Sequence, residues 1–147
     1  MNVLVAVDDS PFAPVLVKAV AGQFRPETAQ VRIVHVLQPI TAVPPPQMDA
    51  RYAPELEVQK ARGHKLIDEA GSELRKAGFH VTVHLEVGDI REQILDSAEN
   101  WPADLIVIGS HGRSNVMRLL LGSVAESVAR HAKCSVEIVR SATARHS

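Results

Sequence analysis

The stretch Leu105-Ile106-Val107-Ile108-Gly109-Ser110-His111-Gly112, with Gly122-Ser123 following after nine intervening residues, decides how this chain is read. Leu105–Ile108 is the most apolar segment, and it gives way first to glycines and then, at Ser123, to a new helical pattern. A strand that runs out into glycines and on to a helix N-terminus has the parts of a phosphate cradle. Glycine lets bare backbone N–H groups approach an anion, and the first turn of a helix presents unpaired donors in a positive potential. A plainer reading has Gly109 and Gly112 shaping a turn and Gly122 easing the chain into its helix, since lone glycine pairs are common. Convergence of three glycines and a capping serine, with Arg113 and Arg118 in the intervening loop, favours the phosphate site.

Outward from this stretch, strand and helix signals alternate. Val3–Val7 is a short β-rich run bounded by Asp8-Asp9-Ser10-Pro11, where Ser10 suits an N-cap and Pro11 a first helical turn. Ala13, Leu16, Val17 and Val20 recur at helical spacing, and Gly22 suits the stop. Val31–Leu37 reads as a second strand. The segment 38–54 holds five of the nine prolines and is expected to be a loop. A long helix is expected from about Glu55 to Ala77, ended by Gly78. His80–Val87 alternates strictly as a third strand. Asp89 and Glu92 form a D-x-x-E cap for a helix that Trp101-Pro102 breaks. Leu105–Ile108 is the fourth strand, Ser123 and Glu126 make another capping box, and Ser135–Arg140 is a final strand. Residues 141–147 are expected to form a frayed tail.

This alternation predicts an α/β fold: an open, five-stranded parallel sheet with helices on both faces. The first and fourth strands are apolar on both sides, as central strands are, and the third and fifth mix in polar residues, as edges do. An order 3-2-1-4-5 follows. It puts the topological switch between the first and fourth strands, where open α/β sheets bind ligands beyond the carboxyl ends. Asp8 and Gly109 stand at those two ends.

At 147 residues the chain is expected to form a single domain, and 46% apolar content is that of a globular protein. A formal net charge of −1 with well-mixed signs disfavours nucleic acid, which usually needs a basic face. Cys134 is the only cysteine, which excludes an internal disulfide and a thiolate zinc cluster. No charged leader precedes Val3–Val7 and no apolar run reaches membrane-spanning length, so a cytoplasmic protein without a membrane partner is expected.

Other motifs narrow the chemistry. There is no G-x-x-x-x-G-K-[ST] and no G-x-G-x-x-G after the first strand, which disfavours a P-loop and an ordinary dinucleotide fold. Asp8 is read as a ligand contact and Asp9 as a turn or cap residue. His80 and His84 are spaced for a helix, yet on a strand they lie about 13 Å apart and cannot share an ion. His111 sits inside the glycine loop. His35 ends a core strand and fits a structural role equally well. Cys134 reads as a small buried residue rather than a nucleophile.

These residues resemble the universal stress proteins, in the subclass that binds ATP. The resemblance covers nearly the whole chain. It rests on Val3-Leu-Val-Ala-Val-Asp8 with Ser10, His35-Val36, Gly88-Asp89, and the G-x2-G-x9-G-S signature at Gly109, Gly112, Gly122 and Ser123. It implies the same Rossmann-like sheet, of the adenine nucleotide alpha hydrolase type. By the resemblance, Asp8 contacts the nucleoside, Val36 meets adenine through its backbone, and Ala6 lines the pocket. Ile108 and Gly109 lie by the ribose. Gly112, Gly122, Ser123 and Val124 hold the triphosphate through main-chain N–H groups and the serine hydroxyl, with His111 nearby. Asp9 stands where glycine is frequent and Ser135 where proline is frequent, and neither touches the signature.

The expected function is an ATP-binding stress-response sensor or regulator in the cytoplasm, with Mg²⁺ bridging the phosphates through water. ATP is expected to order the 113–121 loop and the 38–54 segment. The alternatives are a slow ATPase or autophosphorylating enzyme, for which no general base or catalytic lysine stands out, and a phospho-receiver domain using Asp8, Asp9 and Asp89, which lacks the expected lysine after the fifth strand. The last strand, Ser135 to Arg140, leaves an open edge, and resembling proteins form homodimers through it.

Overall fold

The structure is a computed structural model and describes residues 1–39, 53–111 and 121–140. In chain order the elements are β1 (Asn2–Ala6), α1 (Ala13–Gln23), β2 (Gln30–Leu37), α2 (Ala53–Lys76), β3 (His80–Val87), α3 (Ile90–Asn100), β4 (Leu105–Gly109), α4 (Ser123–His131) and β5 (Ser135–Val139). The strands form one sheet in the order β3-β2-β1-β4-β5. Every neighbouring pair is parallel, with Ala6 aligned between Val34 and Ile108. The order expected from strand polarity is the order observed.

Alternation along the central strands divides the core into two layers. Val3, Val5, Val31, Ile33 and Val107 face α1 and α2, where Leu16, Val20, Ile67 and Leu74 meet them. Leu4, Ala6, Val34, Ile106 and Ile108 face α3 and α4, against Ile94, Ala98, Ala125 and Val128. Leu4, Leu16, Ile33, Leu74 and Ile106 are fully buried, each stabilising the fold by about 1.5–3 kcal/mol through removal from water.

The helix boundaries depart from expectation at three places. Helix α1 starts at Ala13, not after Ser10, and its N-cap Phe12 makes no side-chain cap bond. The reason lies in Asp8. Its Oδ1 accepts the Ser10 N–H at 3.0 Å and also the Ser10 hydroxyl, while Ser10 Oγ accepts the Phe12 N–H at 3.2 Å. This local turn consumes the groups that were to cap the helix. Gly22 is a helical residue, and α1 closes at Phe24. Helix α4 has Gly122 as N-cap, one residue before the expected Ser123. The Gly122 carbonyl accepts the Glu126 N–H at 2.9 Å.

The D-x-x-E cap of α3 forms as expected, Asp89 Oδ1 accepting the Glu92 N–H at 3.0 Å. Helix α2 begins two residues before Glu55 and takes Pro54 into its first turn, where a missing N–H costs nothing. The remainder of the proline-rich segment, 40–52, and the tail, 141–147, lie outside the described residues.

Candidate functional site

Beyond the carboxyl ends of β1 and β4 the sheet opens into a cavity of about 540 Å³, within the usual range for small-molecule sites. The sequence-derived residues Ala6, Asp8, Val36, Ile108, Gly109, His111, Gly122, Ser123 and Val124 all line it. Gly112 lies outside the described residues, as do Arg113 and Arg118. Sequence reasoning missed the walls contributed by helix faces: Gln59, Arg62, Gly63 and Leu66 from α2, and Ile90 and Ile94 from α3. These are brought to the cavity by packing across the sheet, and no local motif marks them.

Asp8 does more than the sequence assigned to it. One carboxylate oxygen, Oδ1, holds the Ser10 turn. The other oxygen, Oδ2, is left for a ligand. Nearby, Phe12 packs on Gly109. A Cβ at position 109 would stand 3.2 Å from Phe12 Cδ1, so the ring would have to give by a few tenths of an ångström to admit a side chain there.

The role expected of Gly122 is corrected. Its N–H donates to the Ser110 carbonyl at 2.7 Å and is not available to an anion. What the position requires is the absence of a side chain. A Cβ would fall 2.8 Å from that same Ser110 oxygen and 3.2 Å from His111 Cα, both backbone atoms that cannot rotate away. The close approach seats the start of α4 against the end of β4.

The donors come from the residues after Gly122. The first N–H groups of an α-helix have no intrahelical acceptor. Gly122 supplies no side-chain cap, and Ser123, Val124 and Ala125 all line the cavity. The first turn of α4 therefore presents to this cavity N–H groups with no intrahelical acceptor, and positive potential. The Ser123 hydroxyl accepts a bond from Arg91 Nη2 at 3.2 Å, which leaves its own proton free to donate.

Two histidines border the same space. His35 is buried, and its Nδ1 lies 2.9 Å from the Val7 carbonyl. A carbonyl only accepts, so Nδ1 carries the proton. His111 Nδ1 lies 3.2 Å from Ser110 Oγ. Its Nε2 is shut off from solvent without a hydrogen-bond partner among the described residues. Such an atom costs about 1–3 kcal/mol in an otherwise satisfied interior, a cost that a bound ligand would remove.

Other candidates stand apart. His80 and His84 sit on the edge strand β3, and His84 Nδ1 is 3.9 Å from Glu86 Oε1. Cys134 precedes β5 at the opposite, amino edge of the sheet. Burial pushes its thiol pKa up, which lowers its thiolate fraction and its reactivity. Asp89 serves as the α3 cap. No group of three His, Cys, Asp or Glu side chains placed to hold a metal occurs among the described residues. No helix among them is long and apolar enough to cross a membrane.

Comparison with known proteins gives one consistent answer. The family model described as "Universal stress protein family" matches residues 1–140. The chain is 43% identical over 76 residues to universal stress protein A homolog 2 of Coxiella burnetii, an alignment that covers 52% of this chain and 50% of that relative. The chain thus spans about half the length of that relative. The solved structure of MJ0577 from Methanocaldococcus jannaschii superposes with a TM-score of 0.80 at 27% identity, covering 95% of each chain. The universal stress protein of Archaeoglobus fulgidus, solved in complex with dAMP, superposes with a TM-score of 0.66 at 27% identity, covering 94% of this chain and 96% of the other. Together with the sheet order and the Gly109 to Ser123 signature, these matches place the chain in the universal stress protein family.

Proposed function

We propose that this universal stress protein binds ATP in the cavity at the switch point and acts as a sensor or regulator of the stress response in the cytoplasm. The observation that carries the proposal is the uncapped first turn of α4, opening onto the cavity across from Asp8. A carboxylate on one side suits ribose hydroxyls, and free amides on the other suit phosphate. The A. fulgidus relative was solved with an adenine nucleotide, dAMP, which supports the same class of ligand here.

In this proposal Asp8 Oδ2 grips the ribose, the Val36 backbone meets adenine, and Ala6 and Ile108 pack against the nucleoside. Gly109 keeps the floor thin below it. The Ser123 and Val124 amides and the Ser123 hydroxyl hold phosphate, with Gly112 and His111 completing the cradle. Mg²⁺ would be held by the phosphates and water. Pairing of two copies through the β5 edge, 135–140, would satisfy its exposed backbone groups.

Isothermal titration tests the proposal. ATP is expected to bind one site per chain with Kd below about 1 mM. Absence of heat and of saturation at millimolar nucleotide contradicts it.

A further inference from the structure

We infer that Arg91 on α3 reads the length of the phosphate chain, favouring nucleoside di- and triphosphates over monophosphates; the inference rests on the nucleotide-binding reading above.

Arg91 Nη2 donates a hydrogen bond of 3.2 Å to Ser123 Oγ. This bond joins the first turns of two different helices. Ser123 lines the cavity, whereas Arg91 does not and reaches the hydroxyl from outside it. A phosphate oxygen bonded to that hydroxyl at about 2.7 Å would lie within about 6 Å of the guanidinium. A phosphate seated on the Ser123 and Val124 amides is thus held inside the cavity. A further phosphate in the chain is the group that the guanidinium beside Ser123 would meet.

Charge supports the same orientation. Asp8 and Asp9 lie at the β1 side of the cavity, Arg62 lines it from α2, and Arg91, tied to Ser123, is the cation at the α3–α4 side. An anion is repelled from the carboxylates and drawn to the cations. The guanidinium carries five N–H donors in a planar fork. One bond to Ser123 leaves others for a terminal phosphate, and such bonds are charge-assisted and strong. The bond to Ser123 is exposed to solvent, so the guanidinium is free to turn toward a ligand phosphate.

The test is titration of AMP, ADP and ATP into the wild-type chain, Arg91→Ala and Arg91→Lys, at low and high salt. Arg91→Ala is expected to weaken ATP about tenfold and AMP less than threefold, narrowing the preference for the longer chain. Arg91→Lys keeps the charge and is expected to restore part of the ATP affinity. The ATP affinity of the wild type is expected to fall more steeply with salt than that of Arg91→Ala. An ATP-to-AMP affinity ratio unchanged in Arg91→Ala, with wild-type binding intact, overturns the role of Arg91 and leaves the nucleotide site standing. A wild type that binds none of the three overturns both. Far-ultraviolet circular dichroism and the melting temperature of each variant separate lost binding from lost folding.

Discussion

Helices α3 and α4 begin at the same edge of the sheet, on the same face, and their first turns are built in opposite ways. Asp89 starts α3 and its carboxylate accepts a backbone N–H of the first turn. Gly122 starts α4 and offers no side-chain acceptor. The capped helix has one of its first-turn donors met by its own side chain. The uncapped one leaves donors and positive potential directed at a cavity, a state that a ligand anion completes. Glycine here is not a weak cap chosen by default, because any side chain at position 122 would meet the Ser110 carbonyl. The junction gives up a cap so that two backbone segments can touch.

The sharpest way to break this contrast is Gly122→Ala. Its methyl would stand 2.8 Å from Ser110 O, so the start of α4 must move away from β4. Shifts of about 1 Å at a binding constellation cost on the order of 100-fold, and ATP affinity is expected to fall by about that factor in titration. Crowding of this kind also costs about 1–3 kcal/mol, visible as a melting temperature lowered by several degrees.

A smaller effect is expected from Ser123→Ala, which removes the hydroxyl and leaves the glycine and the amides. Loss of one hydrogen bond to a charged group corresponds to about 1.5–3 kcal/mol, and at least a tenfold loss of ATP affinity is expected. Stability is expected to change by less than about 0.5 kcal/mol. Equal losses of stability and affinity would show that Ser123 serves the helix rather than the ligand.

The smallest effect on binding should come from the capped helix. Asp89→Ala is expected to cost about 1 kcal/mol of stability, measured by denaturant unfolding, with ATP affinity within about twofold of wild type. If the two helices responded alike, with binding lost and stability kept in both, the distinction between a self-capped and a ligand-completed first turn would be wrong.

The same contrast explains what was legible in the sequence. Strand order followed from which runs are apolar on both sides, Leu105–Ile108 and Val3–Val7, and the structure bears that order out. The α3 cap was legible because Asp89 and Glu92 interact over three residues. The α1 cap was misread because Ser10 has two local partners, Asp8 and Phe12, and the carboxylate turn wins over the helix cap. The α4 cap was misread by one residue because glycine there answers a steric demand from Ser110, a residue brought close only by the fold. Likewise the α2 wall at Gln59, Arg62 and Gly63 reaches the cavity, and Arg91 reaches Ser123, through tertiary packing. Nothing in their own neighbourhoods announces it.

The most direct test of the account is residue-resolved. Titration of ¹⁵N-labelled protein with ATP, followed by backbone amide chemical shifts, reports which N–H groups meet the anion. Saturable shifts are expected at Ser123, Val124 and Ala125 that are the largest in the spectrum, with smaller ones at Arg91 and little change at the Asp89 cap. Shifts centred away from α4, or none at millimolar ATP, would contradict it.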